Sequence, residues 1–390
     1  MTARAFSLRF SAAYAFMMLG SGVQLPFLPL WLSAKGISVG GIAFIVAGMM
    51  AVRVFGAPLF AWAADHFGHR RTVIRCCAIA AFLAYAAMAM LDGFWPIAFA
   101  ALLAGFLFSP VFPLSEGFSV DASAALGLDY GRMRLWASLS FLSGSIISGA
   151  LLKVLDPLDA AWILAAAQGL SVISTFLLPP EPDSLRRKSG APQGGVLRLL
   201  FYSSFALFIL VAGLAQASHG MNYAMGSLHW MSLGFDTLMI SVLWTAAVLS
   251  EVTLLAFSNA VMKRFGAVNL FMIGIFGGFI RWIAMAFFTS FPVLLAFQTL
   301  HAASFALTHL ATMHLIRRMV PAHARNRAQG LYAAMSGGVL LASTSWFSGH
   351  LFEAMQGKAY LAMAALSALS LAGALMLFRV SPTTRQLAGA

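Results

Sequence analysis

The sequence predicts an all-α integral membrane protein of about twelve transmembrane helices in two six-helix bundles. Of its 390 residues, only 9% are charged and 61% are hydrophobic. Most charges fall in short gaps between apolar runs of about twenty residues, the length that crosses a bilayer as helix. Because backbone groups in lipid need internal hydrogen bonds, each run is predicted to be helical.

The polar gaps divide the chain into two sets of six predicted helices. The stretch 179–199 has the Pro, Ser and Gly content of a linker. It separates a predicted N-terminal bundle, 1–178, from a C-terminal bundle, 200–390. The first set is predicted at residues 6–32, 38–63, 72–91, 95–121, 130–153 and 158–178. The second is predicted at residues 200–228, 237–262, 267–289, 292–317, 325–351 and 358–379.

Basic residues are concentrated at the termini and at every second gap, for example Arg70 and Arg71. The intervening gaps hold only Lys35, Lys153 and Lys358. This positive-inside pattern predicts that both termini lie in the cytoplasm. The net charge of +12 is then explained by the basic residues of the cytoplasmic gaps and termini, and no nucleic-acid partner is expected. We expect a monomer whose first apolar run stays as a transmembrane helix rather than a cleaved signal.

Two short segments recur in both halves of the chain. Trp31–Gly36 corresponds to Trp230–Gly234, and Asp65–Arg71 corresponds to Lys263–Gly266, each about 198 residues further on. Parallel repeats of six helices are a transporter architecture, with substrate near the membrane midplane where the halves meet. Two coincidences are the alternative, because glycine often follows a helix in any case.

A polar motif follows the second predicted helix, formed by Asp65, Gly68, Arg70 and Arg71. It resembles the signature of the major facilitator superfamily of secondary transporters. The chain departs from that pattern at Ala61, where the family has glycine, and at His66, where it has a basic residue. An Asp–Arg pair at a helix junction can latch two helices in one state and release them in another. The four motif residues are therefore expected to form a conformational latch.

Four segments carry a narrower resemblance that covers nearly the whole chain: Leu128–Ser138, Ala217–His219, Leu243–Trp244 ahead of Glu251–Val252, and Leu300–Ala302. They are similar to the 3-phenylpropionic acid transporter-like permeases, which are related to lactose permease, a sugar–proton symporter. The resemblance implies a twelve-helix major facilitator fold and proton-coupled transport.

The same resemblance implies roles for particular residues. Glu116 and Arg134, eighteen residues apart, match the acid–arginine pair that binds sugar in lactose permease. Arg281 and His301 match an arginine and a histidine of its proton pathway. The chain has Ser304 where that permease has its proton-carrying acid.

Charged side chains inside the hydrocarbon region cost about 2.5–3.5 kcal/mol each on insertion scales, so they usually face a cavity and a partner. Glu116 and Arg134 are predicted to face a substrate cavity, although a structural ion pair is the alternative. Arg53 lies deep in the second predicted helix and either contacts substrate or bonds backbone carbonyls. Glu251 lies about one turn from the position that matches the eighth-helix acid of lactose permease.

The second half contains the candidates for proton coupling: Glu251, Arg281, His301 and His309. Histidine titrates near neutral pH, and His309 lies eight residues after His301, close to the same helix face. For each histidine, hydrogen-bonded packing is the alternative to a relay role.

Polar side chains on the first and seventh predicted helices are candidates for cavity lining. Gln216, His219 and Tyr223 are spaced i, i+3, i+7, which places them in one stripe of a helix. Asn222 and, on the first helix, Gln24 belong to the same class. We expect all five to contact substrate.

Several function classes are not supported by any motif. We find no nucleotide-binding motif, no metal-ligand spacing and no catalytic constellation, so neither a cofactor, a metal nor enzyme activity is expected. The hypothesis is a secondary transporter of the bacterial inner membrane that carries a small organic acid, such as a phenylpropionate-like compound, by proton symport and alternating access. The alternatives are a sugar or nucleoside proton symporter, drug efflux by proton antiport, and a membrane sensor. The expected partners are a small-molecule substrate, protons and the lipid bilayer.

Overall fold

The computed structural model describes residues 2–180, 203–321 and 324–380, and these are helical with short connections and no strand. The all-α prediction is confirmed. Of the predicted linker 179–199, only residues 179–180 lie within the described chain. The described residues form two compact units. Unit 1 holds residues 2–180 with Asp236–Ser241, and unit 2 holds the remainder.

The helices of unit 1 begin and end at residues suited to those positions. Ser38 and Asp129 accept hydrogen bonds from backbone N–H groups of the first turns they precede. A short 3₁₀ turn, Pro157–Asp159, precedes the last helix. The helices are α1 Ala3–Met17, α2 Leu19–Ala34, α3 Val39–Phe67, α4 Arg70–Met90, α5 Phe94–Phe108, α6 Val111–Leu126, α7 Tyr130–Leu151 and α8 Ala160–Leu177.

Unit 2 has more interruptions within its helices. Two π-helical segments, Ala302–Leu307 and Ala334–Leu340, and a 3₁₀ turn, Gln356–Ala359, join α-helices end to end. The α-helices are α9 Ser203–Ala217, α10 Gly220–Ser232, α11 Thr237–Ala256, α12 Ser258–Phe265, α13 Ala267–Phe287, α14 Phe291–Gln298, α15 Thr308–Met319, α16 Arg325–Ala333, α17 Leu341–Met355 and α18 Tyr360–Val380.

Ten described stretches are long and apolar enough to cross a membrane. The longest, Arg327–Arg379, contains two successive crossings. The helix α7 is not among the ten, although its 22 residues are long enough to span. Its arginines and serines lower its hydropathy, and two of them, Arg134 and Ser138, belong to the polar cluster described below. Counting α7, the described helices match the predicted twelve crossings.

The first and seventh predicted helices are interrupted where the sequence predicted single helices. The first breaks at Met18, between α1 and α2, and the seventh at Ser218 and His219, between α9 and α10. After the first break, a Cβ on Gly22 would overlap the Phe141 carbonyl, so glycine permits this close helix approach. Apolar periodicity does not detect such breaks, because the apolar run continues through them.

The glycines of the recurring segments have positive φ in both units, although Gly68 (ψ 21°) and Gly266 (ψ 158°) differ in ψ. Gly68 has φ of 66°, and Gly266, 198 residues later, has φ of 73°. Gly36 and Gly234 have φ of 74° and 85°. Such left-handed values favour glycine, so each repeated segment ends its helix with the same sign of φ.

Candidate functional site

The first polar cluster, in unit 1, is built on α6 and α7. The Arg134 Nε donates to Glu116 Oε1 at 3.0 Å, and the Tyr130 hydroxyl donates to the same oxygen at 2.5 Å. The Arg134 guanidinium also reaches the Ser138 hydroxyl at 3.4 Å and lies 4.7 Å from the centroid of the Phe112 ring. Because Tyr130 and Arg134 are one turn apart on α7, both point toward α6 from one face. We call these five residues the N cluster.

The charged side chains of the N cluster are accessible to solvent. The side chain of Arg134 is 33% exposed and that of Glu116 is 36% exposed. An ion pair with this exposure is screened and contributes little to stability. Its donors and acceptors can therefore change partners when a polar molecule arrives.

Arg53 lies at the middle of α3. It is exposed, although Met49 one turn before it and Gly56 one turn after it are buried on the same side of the helix. The opposite side presents Phe55 and Trp62, which are 73% and 58% exposed. Arg53 thus lies on the packed side of α3, where an accessible arginine marks an opening lined by protein rather than the lipid surface.

The described surroundings of Arg53 include Tyr85, which is polar and uncharged. The Tyr85 hydroxyl, in electrostatic range of Arg53, donates to Gln24 Oε1 at 2.7 Å. Gln24 Nε2 in turn lies 3.9 Å from the Met49 sulfur. Among the described residues Arg53 has no carboxylate or hydrogen-bond partner. The sequence predicted Arg53 and Gln24 as site residues separately, and the structure brings them together around Tyr85.

The second polar cluster, in unit 2, surrounds Arg281, whose exposure is 0%. One terminal nitrogen of Arg281 lies 3.0 Å from His301 Nδ1 and 3.3 Å from the Ser304 hydroxyl, and the other lies 2.5 Å from Gln298 Oε1. The guanidinium also lies 4.5 Å from the Trp282 ring centroid. None of these described contacts is a carboxylate.

Glu251 and His219 extend this cluster on two sides. Glu251 Oε2 lies 3.5 Å from His301 Nε2, and its side chain is 23% exposed. His219 is fully buried, with Nε2 at 3.1 Å from the Ser304 hydroxyl and Nδ1 at 3.0 Å from the Gln216 carbonyl. The C cluster comprises Arg281, Gln298, His301, Ser304, Glu251 and His219.

The remaining predicted site residues of unit 2 differ in their surroundings. Asn222 is buried and accepts from the Tyr360 hydroxyl at 3.2 Å. Tyr223 stacks on Trp244, with ring centroids 6.1 Å apart. His309 is exposed and stacks on Phe305, which stacks on His301 in turn. No hydrogen bond within the described chain joins His309 to the C cluster.

Gln216, which the sequence placed in the same stripe as His219, packs against the π-helical segment. Its amide nitrogen donates to the Phe305 carbonyl at 3.2 Å and to the Thr308 hydroxyl at 2.9 Å. Its side chain ties α9 to α15.

The predicted latch residues lie at the junction of α3 and α4. Arg70 pairs at 3.1 Å with Asp121 near the end of α6. Asp65 is half-buried and forms no ion pair or hydrogen bond with the described residues. Gly68 ends α3 in a left-handed conformation, and Arg71 follows in the first turn of α4. Asp121 was not predicted as the partner of this motif, although an acidic residue near the end of a predicted helix was a usable signal.

Sequence reasoning also missed Tyr130 and Gln298. Neither side chain is charged, so the rarity of intramembrane charges does not point to them. The role of each depends on which neighbouring helix it faces. Gln298 offered one signal, since an amide within an otherwise apolar helix usually has a partner. Within the part of the chain that the structure describes, no group of three or more metal-ligating side chains is present.

Comparison with known proteins identifies the family. The model of the MFS_1 like family matches residues 7–362. The chain belongs to the MFS_1 like family. It is accordingly a multi-pass membrane transporter with the major facilitator fold, and not an enzyme.

The chain is also similar to a curated relative and to two solved structures. The probable 3-phenylpropionic acid transporter of Escherichia coli (strain K12) is 27% identical over 340 residues, covering 85% of this chain and 87% of the relative. The nucleoside transporter NupG is similar in structure with a TM-score of 0.86 at 17% identity, covering 96% of this chain and 100% of NupG. A D-xylose–proton symporter has a TM-score of 0.73 at 16% identity, with 99% of both chains covered. The structural likenesses confirm the predicted fold.

Proposed function

We propose that this transporter carries a small organic acid across the bacterial inner membrane together with protons, by alternating access. It acts as a monomer with both termini in the cytoplasm. We choose an acid because of the charges at two intramembrane sites of unit 1, the N cluster and Arg53. Phenylpropionate-like compounds fit this class, and a relative named for 3-phenylpropionic acid supports it.

Among the described residues in the membrane interior of unit 1 there are two arginines, Arg53 and Arg134, and one carboxylate, Glu116. Arg134 is paired with Glu116 at 3.0 Å, so the N cluster is neutral as a whole. Arg53 is accessible and has no carboxylate partner among the described residues. A mid-membrane arginine is costly without a counter-ion, and a substrate carboxylate supplies one with two oxygens that match the guanidinium fork.

The N cluster then has a second task, which is to hold the remainder of the substrate. The Phe112 ring provides an apolar surface, and the planar Arg134 guanidinium beside it can stack on an aromatic group. Glu116 accepts hydrogen bonds from Tyr130 and Arg134. A carboxylate in this setting also accepts from hydroxyl groups, which favours a sugar or nucleoside as the second candidate.

The proton belongs to the C cluster in this proposal. Glu251 is partly accessible and lies beside His301, so it can exchange protons with water while contacting a buried network. Arg281, His301 and His309 are the other candidate members of the coupling pathway. The name of the D-xylose–proton symporter shows that this fold supports proton coupling in another protein.

The test is transport by purified protein in vesicles with an imposed pH gradient. Uptake of 3-phenylpropionate should exceed uptake of its uncharged amide and of xylose and uridine, and it should collapse when a protonophore removes the gradient. Arg53→Gln should abolish saturable uptake of the acid, because its counter-ion is lost.

Arg4→Gln is the matched control, since it removes one exposed arginine at the start of α1. It should transport normally. Uptake of xylose or uridine without any acid would show that the neutral-substrate alternative is correct. Normal acid uptake by Arg53→Gln would show that the carboxylate is bound elsewhere.

A further inference from the structure

The hydrogen bonds of Arg281 have a fixed direction. A guanidinium has five donors and no acceptor, and it stays charged in proteins. Its contact at 3.0 Å with His301 Nδ1 therefore requires that nitrogen to accept. The contacts with Ser304 Oγ and Gln298 Oε1 are likewise donated by Arg281.

This direction determines the tautomer of His301. A neutral imidazole has one N–H and one acceptor nitrogen. Because Nδ1 accepts from Arg281, the proton of the neutral ring is on Nε2. That N–H faces Glu251 Oε2, which lies 3.5 Å away. The ring cannot take up a second proton at Nδ1 while Arg281 holds that nitrogen.

His219 is fixed as the other tautomer. His219 Nδ1 lies 3.0 Å from the carbonyl oxygen of Gln216, which can only accept, so Nδ1 carries the proton. Nε2 of His219 must then accept from the Ser304 hydroxyl at 3.1 Å. Ser304 accepts from Arg281 at the same time, so the chain of donors runs in one direction from Arg281 to Gln216.

Gln298 sets the orientation from which this direction follows. It is fully buried, and its carbonyl oxygen receives the Arg281 nitrogen that does not face His301. Its own amide nitrogen points to the Met285 sulfur at 3.4 Å, so the amide is held in one orientation. With one edge of the guanidinium fixed by Gln298, the other edge is directed at His301.

We propose that Gln298 is a positioning residue which, through Arg281, locks His301 as the Nε2–H tautomer, so that the coupled proton resides on Glu251. The proposal rests on the proton symport proposed above. Among the described residues, the titratable and charged groups that face the His301 ring are Glu251, Arg281 and the ring of His219, whose centroid is 5.5 Å away. In the coupling step the Glu251 carboxylate takes a proton from water and becomes a carboxylic acid, and it later returns that proton to water. His301 neither gains nor loses a proton.

The first test is spectroscopic and needs no transport. Histidine-specific ¹⁵N labelling of the full chain in nanodiscs distinguishes the two tautomers, with His301→Gln and His219→Gln variants assigning the signals. We expect Nε2–H at His301 and Nδ1–H at His219 at neutral pH. In Gln298→Leu, His301 should become a mixture of tautomers. An Nδ1–H or doubly protonated His301 in the unaltered protein would overturn the proposal.

The second test compares accumulation driven by a pH gradient with exchange at equilibrium, using 3-phenylpropionate as the probe. Losing one hydrogen bond to a charged group should lower accumulation by Gln298→Leu about tenfold. Exchange does not require the proton to leave, so it should change by less than about twofold. Gln298→Glu keeps an acceptor for Arg281 and should retain the His301 tautomer.

The matched control is Gln168→Leu, which replaces a buried glutamine of unit 1 whose amide nitrogen has no described partner. It should leave both rates and both tautomers unchanged. An equal loss of accumulation and exchange in Gln298→Leu, with His301 unchanged, would mean that Gln298 has only a packing role. If the unaltered protein shows no proton coupling, the proposed function fails, while the tautomer measurement still decides the state of His301.

Discussion

The N cluster and the C cluster each contain an intramembrane arginine, but the two arginines have opposite environments. Arg134 is 33% exposed and paired with a carboxylate, whereas Arg281 is fully buried and donates to neutral groups. An exposed pair loses little when its partners change, while a buried donor is costly to leave unsatisfied. The difference is consistent with the proposed roles, which are binding and release in the first cluster and, in the second, a fixed arrangement around the acid proposed to carry the proton.

The largest expected effect is that of Glu251→Gln in the C cluster. The amide imitates a permanently protonated acid, so the loaded carrier can still exchange internal for external substrate. Net accumulation requires the proton to leave, and it should fall by more than about a hundredfold, as removal of an essential acid–base group does. Gradient-driven uptake and equilibrium exchange in the same vesicles check this outcome.

Normal accumulation by Glu251→Gln would contradict the assignment of the proton to the C cluster, because the proton would then not be bound in unit 2. Glu116 of the N cluster would become the first candidate, and Glu116→Gln should then show the separation of accumulation from exchange.

The next effect is that of Arg134→Lys in the N cluster. Lysine keeps the charge but cannot donate to Glu116 and Ser138 from one plane or cover the Phe112 ring. We expect uptake of substrate to fall about tenfold to a hundredfold, the value of one or two charge-assisted hydrogen bonds. Accumulation and exchange should fall together, since the site is used in both. Near-normal transport would identify Arg134 as a simple counter-ion.

The smallest effect concerns stability rather than transport. Arg281→Met leaves the Gln298 oxygen and His301 Nδ1 buried without a donor, which should destabilise unit 2 by about 2 kcal/mol. Arg134→Met removes an accessible ion pair and should cost less than about 1 kcal/mol. Unfolding of the purified variants, followed in one detergent, measures both. Equal losses would mean that the two arginines are equally fixed in their surroundings.

Much of the fold could be predicted from the sequence, because apolar length and charge spacing reflect the bilayer directly. The same logic identified Arg53, Glu116, Arg134, Glu251 and Arg281, since intramembrane charges are rare and need a reason. The crossing at α7 was also predicted, from the length of the run 130–153, although α7 is less apolar than the other crossings.

The partners of those charges could not be predicted in the same way. That Tyr130 bonds Glu116, or that Gln298 bonds Arg281, depends on the rotation and depth of one helix against another. These are set by packing of small and apolar side chains over many positions, and a single sequence does not contain them in readable form. The breaks at Met18 and His219 were missed for a related reason, since a helix can end locally while its apolar composition continues.

The π-helical segment Ala302–Leu307 rotates α15 about the helix axis relative to the part of the same membrane crossing that precedes it. A π-turn accommodates one residue more than an α-turn, and one residue corresponds to a rotation of about 100° around a helix axis. His301 precedes the segment and Thr308 follows it, so the two ends of this crossing are turned relative to each other by that step. One end can therefore present His301 to Arg281 while the other presents Thr308 to Gln216. A continuous α-helix of the same sequence would satisfy one of these partners and turn the other away.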